Sequence, residues 1–169
     1  NALLARKDIQ INQAMNDGRT PLFTGCRNGH VKVINVLLAR KEIQLNQAMN
    51  DGRTPLFTGC RNGHVKVVNV LLTRKEIQIN QAKINGCTPL FIACLNDRVK
   101  VVNALLARKD IQINQAMNDG CTPLFIACQN DRVKVVNVLL VRKEIQLNQA
   151  MNDGRTPLYI ACQNDHVKV

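Results

Sequence analysis

The sequence predicts an all-α protein: a helix-turn-helix solenoid carrying short β-hairpin-like fingers. Three observations lead there. The 169 residues repeat with a period of 34, and Asp17–Asn50 and Asp51–Ile84 align without a gap and differ at five positions. The tripeptide Thr-Pro-Leu recurs in that register at 20–22, 54–56, 88–90, 122–124 and 156–158. Each unit also holds two short apolar segments, neither of which can bury its face alone, so the units must stack side by side.

The register divides one solenoid domain, residues 1–169, into a partial unit 1–16, complete units 17–50, 51–84, 85–118 and 119–152, and a partial unit 153–169. Within a unit, Asp17-Gly18 marks a tight turn, because glycine accepts a positive φ. Thr20-Pro21 starts a helix: the threonine oxygen caps it, and proline suits the first helical position, where no N–H is needed. That helix, 21–27, ends at Asn28-Gly29. A second helix is expected over 30–40, with Val31, Val33, Ile34, Leu37 and Leu38 at helical spacing. Arg40-Lys41 stands at its end, where cations complement the helix dipole. Residues 43–46 then run extended into the next finger. Fingers are expected near 13–19, 47–53, 81–87, 115–121 and 149–155.

Composition agrees with a folded chain. Hydrophobic residues make up 46%, charged residues 21% and aromatics 3%, with no Trp and no Ser. No apolar run approaches the ~18 residues of a membrane span. Residue 1 is Asn and no signal-peptide pattern follows, so the chain reads as part of a longer array.

These motifs resemble the ankyrin repeat. Besides Thr-Pro-Leu, the resemblance rests on Gly-His-Val at 29–31 and 63–65, Leu-Leu at 37–38 and 71–72, and Asn46 ahead of the next Asp-Gly. It covers the whole chain. Two features depart from the family: Phe23, Phe57, Phe91, Phe125 and Tyr159 stand where it usually carries His, and the period is 34 rather than about 33, with the added residue near Lys41-Glu42, where the family usually has a Gly after the second helix. The resemblance implies a protein-binding module whose partner lies in a concave groove between fingers and inner helices.

Candidate chemistry is sparse. Cys26, Cys60, Cys94, Cys128 and Cys162 recur at one place in the first helix and read as buried core thiols. They lack the close C-x₂₋₄-C pairing of a zinc site, so no metal ligand is assigned. Cys87 and Cys121 replace the finger residues Arg19, Arg53 and Arg155 and are expected to be exposed, free thiols. His30, His64 and His166 exchange with Arg98 and Arg132 between units, which argues against a catalytic histidine. No nucleophile–base set and no phosphate loop is present, so no catalytic residue and no cofactor is assigned and an enzyme is not expected. The cysteine spacing points to reduced thiols in an intracellular, cytoplasmic protein.

Positions that vary between units mark where binding could specialise. They include the finger residues Arg19, Arg53, Cys87, Cys121 and Arg155 and the helix-end residues Arg27, Arg61, Leu95 and Gln129. Asn28 and Asn62, next to that helix end, complete the candidate site, although this Asn never changes, like Asn12, Asn46, Asn80, Asn114 and Asn148. The formal charge of +11 is concentrated in residues 17–84, and Arg suits bidentate contact with carboxylates. The expected function is thus to bind an acidic protein partner. A polyanion or nucleic-acid binder and a structural spacer are the alternatives; basic charge without exposed aromatics is a weak nucleic-acid signal. The Arg-Lys pairs along the outer edge read as solvated, dipole-compensating groups. Uncapped ends, with Leu3, Leu4, Leu158, Ile160, Val167 and Val169 exposed, are expected to fray or associate end to end.

Overall fold

The computed structural model describes residues 2, 3, 6 and 8–169. Nine helices form among the described residues. The inner row is α1 (Pro21–Asn28), α3 (Pro55–Asn62), α5 (Pro89–Leu95), α7 (Pro123–Gln129) and α9 (Pro157–Gln163); the outer row is α2 (Val31–Leu38), α4 (Val65–Leu72), α6 (Val99–Leu106) and α8 (Val133–Leu140). Each helix packs on its counterpart in the next unit, and the two helices of a complete unit pack on each other. The fold is a solenoid of helix-turn-helix units, as the period predicts.

Every inner helix begins with the same chemistry. The Thr20 hydroxyl oxygen accepts the Phe23 N–H at 3.1 Å. Thr54, Thr88, Thr122 and Thr156 repeat that bond to Phe57, Phe91, Phe125 and Tyr159. Proline follows at the first helical position each time. The helices end on a left-handed residue: Gly29 and Gly63 in the first two units, but Asp97, Asp131 and Asp165 in the later ones. The chain then turns back, with the His30 N–H donating to the Gly25 oxygen and the Arg98 N–H to the Ala93 oxygen.

The outer helices are shorter than the pattern suggests, starting at Val31 rather than His30 and ending at Leu38 rather than Arg40. The residue ahead of each outer helix is not helical, with ψ of 71° at His30, 72° at His64, 59° at Arg98 and 60° at Arg132, and in the later units its side chain serves the unit before. His64 Nε2 donates to the Arg27 oxygen at 3.0 Å, while the Arg98 and Arg132 Nε atoms donate to the Arg61 and Leu95 oxygens. This residue closes the end of the preceding inner helix instead of starting its own. His and Arg exchange there because both present an N–H to the same kind of carbonyl.

The fingers are turns, and no β-strand forms among the described residues. Each is closed by two bonds: the Met15 N–H donates to the Arg19 oxygen and the Gly18 N–H to the Met15 oxygen, both at 2.9 Å. The Asn50 N–H then donates to the Asp17 oxygen of the preceding finger, a link repeated by Ile84, Asn118 and Asn152. Two bonds per finger hold a hairpin shape but are too few for a ladder.

The ends differ from the middle. Leu158, 69% exposed, corresponds to Leu124 at 3%, and Tyr159 stands open where Phe125 is buried. Leu3 and Val167 are exposed too, but Ile160 is buried, against expectation, because it faces back toward α7, and Val169 is half-buried. Leu4 lies outside the described residues.

Candidate functional site

The fingers and the inner-helix row enclose a groove with two connected hollows. The first, about 380 Å³, is lined by Asp17, Arg19, Phe23, Arg27, Arg53, Arg61 and Asn62 among others. The second, about 810 Å³, extends from Asp51 past Cys87, Leu95, Cys121 and Gln129 to Arg155. Arg53 and Arg61 line both. Of the residues chosen from sequence, the groove therefore gathers all but Asn28, which is exposed and outside both hollows.

Local structure decides what each can do. Arg19 turns back on its own finger: its Nε donates to Asp17 Oδ2 at 2.6 Å, and its N–H to Asp17 Oδ1 at 3.1 Å. Arg53 does the same with Asp51, and Arg155 with Asp153. The Asp17 and Asp153 carboxyls are held below their usual range, Asp17 chiefly by the Arg19 backbone N–H and Asp153 chiefly by the Arg155 side chain. These three arginines thus face the groove with their charge largely answered. Arg27 and Arg61, in the last turns of α1 and α3, are exposed and make no ion pair among the described residues. Asn62 donates to the Arg27 oxygen at 2.7 Å, so its amide positions α1 rather than reaching outward.

Cys87 and Cys121 correct the sequence expectation. They are 6% and 4% exposed. Where arginine extends along its finger to reach an aspartate, the short cysteine side chain stays folded against the groove floor. Burial pushes the Cys87 and Cys121 thiols up, to about 11 and about 12, so neither is a reactive thiolate. Phe91, Ile92, Ile126, Met117 and Met151 line the same stretch. The groove changes along its length from arginine-rich to mixed, with these apolar side chains beside Lys83, Asp119 and Arg155, a change the sequence showed only as a substitution pattern.

The core thiols behave as expected with one exception. Cys26, Cys60, Cys94 and Cys128 are buried, whereas Cys162 is exposed because no further inner helix covers α9.

A solenoid of capped helix pairs, with turn-shaped fingers overhanging an inner-helix groove, defines a stacked-repeat binding scaffold. The family of ankyrin repeats (3 copies) matches at residues 1–83, 43–116, 75–150 and 113–169, and the chain belongs to that family. Ankyrin repeats are in general protein–protein interaction modules. No curated protein is similar enough to the chain to count as a match. No helix among the described residues is long and apolar enough to cross a membrane.

Proposed function

We propose that the chain is a non-catalytic interaction module that takes an acidic segment of a protein partner in its groove. The observation that carries this reading is the first hollow, where Arg19, Arg27, Arg53 and Arg61 line one space with a single acid, Asp17. Arg27 and Arg61 supply the main contact, since they bring guanidinium groups with no carboxylate of their own to exchange. The apolar floor around Cys87, Leu95 and Cys121 takes the uncharged part of the same segment. Gln129, Arg155 and Asn62 bound it.

The test is capture of proteins from the source cell on the immobilised chain, comparing Arg27→Ala/Arg61→Ala with Lys109→Ala/Lys143→Ala. Arg108 is unsuited as a control, because its Nη1 donates to the Leu72 oxygen at 2.9 Å and holds two units together. Acidic proteins bound by the native chain should be retained by the lysine variant and weakened about tenfold, ~1.4 kcal/mol, by the arginine variant. Equal loss in both would mean diffuse charge rather than the groove.

Two finer points belong to the same reading. The buried thiols serve as small packing groups and need no oxidant, which favours a reducing, intracellular setting such as the cytoplasm. The open face of α9, with Leu158 and Tyr159, favours end-to-end association of the chain at high concentration.

A further inference from the structure

The unpaired positive charge of this chain lies mainly on the side opposite the groove. There, the acids past the outer helices are taken by the arginine two residues before them: Arg40 with Glu42, Arg74 with Glu76, Arg108 with Asp110 and Arg142 with Glu144, while Asp97, Asp131 and Asp165, just ahead of the outer-helix segments, are exposed and offset part of the charge there. The remaining cations are mainly lysines. One row, Lys32, Lys66, Lys100, Lys134 and Lys168, stands at the start of the outer-helix segments. A second row, Lys41, Lys75, Lys109 and Lys143, stands just past their ends. All nine are exposed, and none makes an ion pair or a side-chain hydrogen bond among the described residues.

The fold sets the dimensions of this array. Along the solenoid, successive lysines are one helix spacing apart, roughly 10 Å. Across it, the rows are separated by an eight-residue helix, about 12 Å long. The result is a strip about 40 Å long and far narrower, a shape that suits a rod rather than a plane. Lysine is a hydrated point charge without the planar fork of arginine, so it meets a phosphate from many directions and reads no base edge. The four phenylalanines are buried, leaving this side no aromatic platform on which unpaired bases could stack.

We propose that the lysine strip on the outer-helix side binds the phosphate backbone of double-stranded nucleic acid, lying along the repeat axis and independent of base sequence. The groove on the other side stays free, so the chain can hold a protein and a duplex at once. This strip does not depend on the groove reading.

The probe is a fluorescent, mixed-sequence DNA duplex about two helical turns long, titrated by anisotropy from about 50 to about 200 mM salt. The native chain should bind with a steep salt dependence, losing about 0.9 in log–log slope per phosphate neutralised. Lys66→Gln/Lys100→Gln/Lys134→Gln and Lys75→Gln/Lys109→Gln/Lys143→Gln, one variant per row, should each weaken binding about tenfold and flatten the slope by about 3. Both should nearly keep the native melting temperature, since these side chains are exposed and make no ion pair or side-chain hydrogen bond among the described residues. Arg27→Ala/Arg61→Ala should bind the duplex as the native chain does, and a second duplex of unrelated sequence should bind equally well. The proposal is overturned by absence of duplex binding at low salt, or by equal loss in the groove variant. Tighter binding to vesicles of phosphatidylcholine and phosphatidylserine than to duplex would also overturn it, making the strip a membrane-facing surface.

Discussion

The side-chain amide of Asn80 donates to the carbonyl oxygen of Asp110 at 2.7 Å, and Asn80 Oδ1 accepts the Gln112 N–H at 2.9 Å. One side chain thus satisfies a donor and an acceptor of the following unit. Asn12, Asn46 and Asn114 do the same. Aspartate could not donate, and glutamine would be a methylene too long.

Replacing this residue tests its role, and the chain contains its own control. Asn80→Ala should cost about 2 kcal/mol, one per bond lost. Asn148, exposed and with no side-chain bond among the described residues, should cost almost nothing as Asn148→Ala. Urea unfolding of both variants measures the difference; equal losses would show that the ladder contributes no stability.

The left-handed helix ends give an asymmetric prediction. Asp97 and Asp131 adopt φ near +50° without glycine's freedom. Asp97→Gly should therefore be neutral to stabilising, by up to about 1 kcal/mol. The reverse exchange should not be. A Cβ at Gly29 would come within 2.8 Å of the His64 ring, and the ring would lose its bond to the Arg27 oxygen. Where Asp131 occupies this position, the next histidine, His166, uses Nδ1 and reaches the Cys128 oxygen instead. Gly29→Asp should cost more than about 1 kcal/mol in the same unfolding assay.

Buried thiols make the fold sensitive to alkali. Burial raises the thiol pKa of Cys26 to about 12 and of Cys128 to about 11, and raises Cys60 and Cys94 strongly in the same direction. A raised folded-state value gives stability that is complete below the unfolded value of 9.0 and is lost as pH rises through the folded one. Each such thiol should remove about 1.4 kcal/mol per pH unit above 9.0 until it ionises. Melting curves at rising pH should show this slope, and Cys94→Ala should reduce it by one proton. Thiol reagents should meanwhile reach Cys162 at once and the six buried thiols only on unfolding.

The open face of α9 predicts concentration-dependent association. Leu158→Lys/Tyr159→Lys should abolish it in sedimentation velocity and leave the melting temperature nearly unchanged, because both side chains are exposed. A native chain that stays monomeric at every concentration would remove the prediction.

The period, the Thr-Pro caps and the apolar spacing made the fold legible from sequence, since each acts within one unit. What the sequence concealed acts between units. The His64 and Arg98 side chains close the inner helix of the unit before them. Arg108 reads as an edge cation until its bond to the Leu72 oxygen is seen. Cys87 and Cys121 are buried against expectation because side-chain length, rather than polarity, decides whether that finger position reaches solvent. For the groove, substitution between units located the residues, but only the aspartate contacts separated Arg19 and Arg53 from Arg27 and Arg61.

Because the asparagine ladder, the finger-to-finger bonds and the helix closures recur from unit to unit, any two neighbours meet through nearly the same surface. Residues 85–118 could be excised and Ile84 joined to Asp119 with every remaining junction still matched. Length is then an adjustable quantity for this molecule, changing in steps of one unit. Each step would shorten the mixed stretch of the groove by one thiol and the opposite strip by two lysines, Lys100 and Lys109, leaving the arginine-rich end untouched.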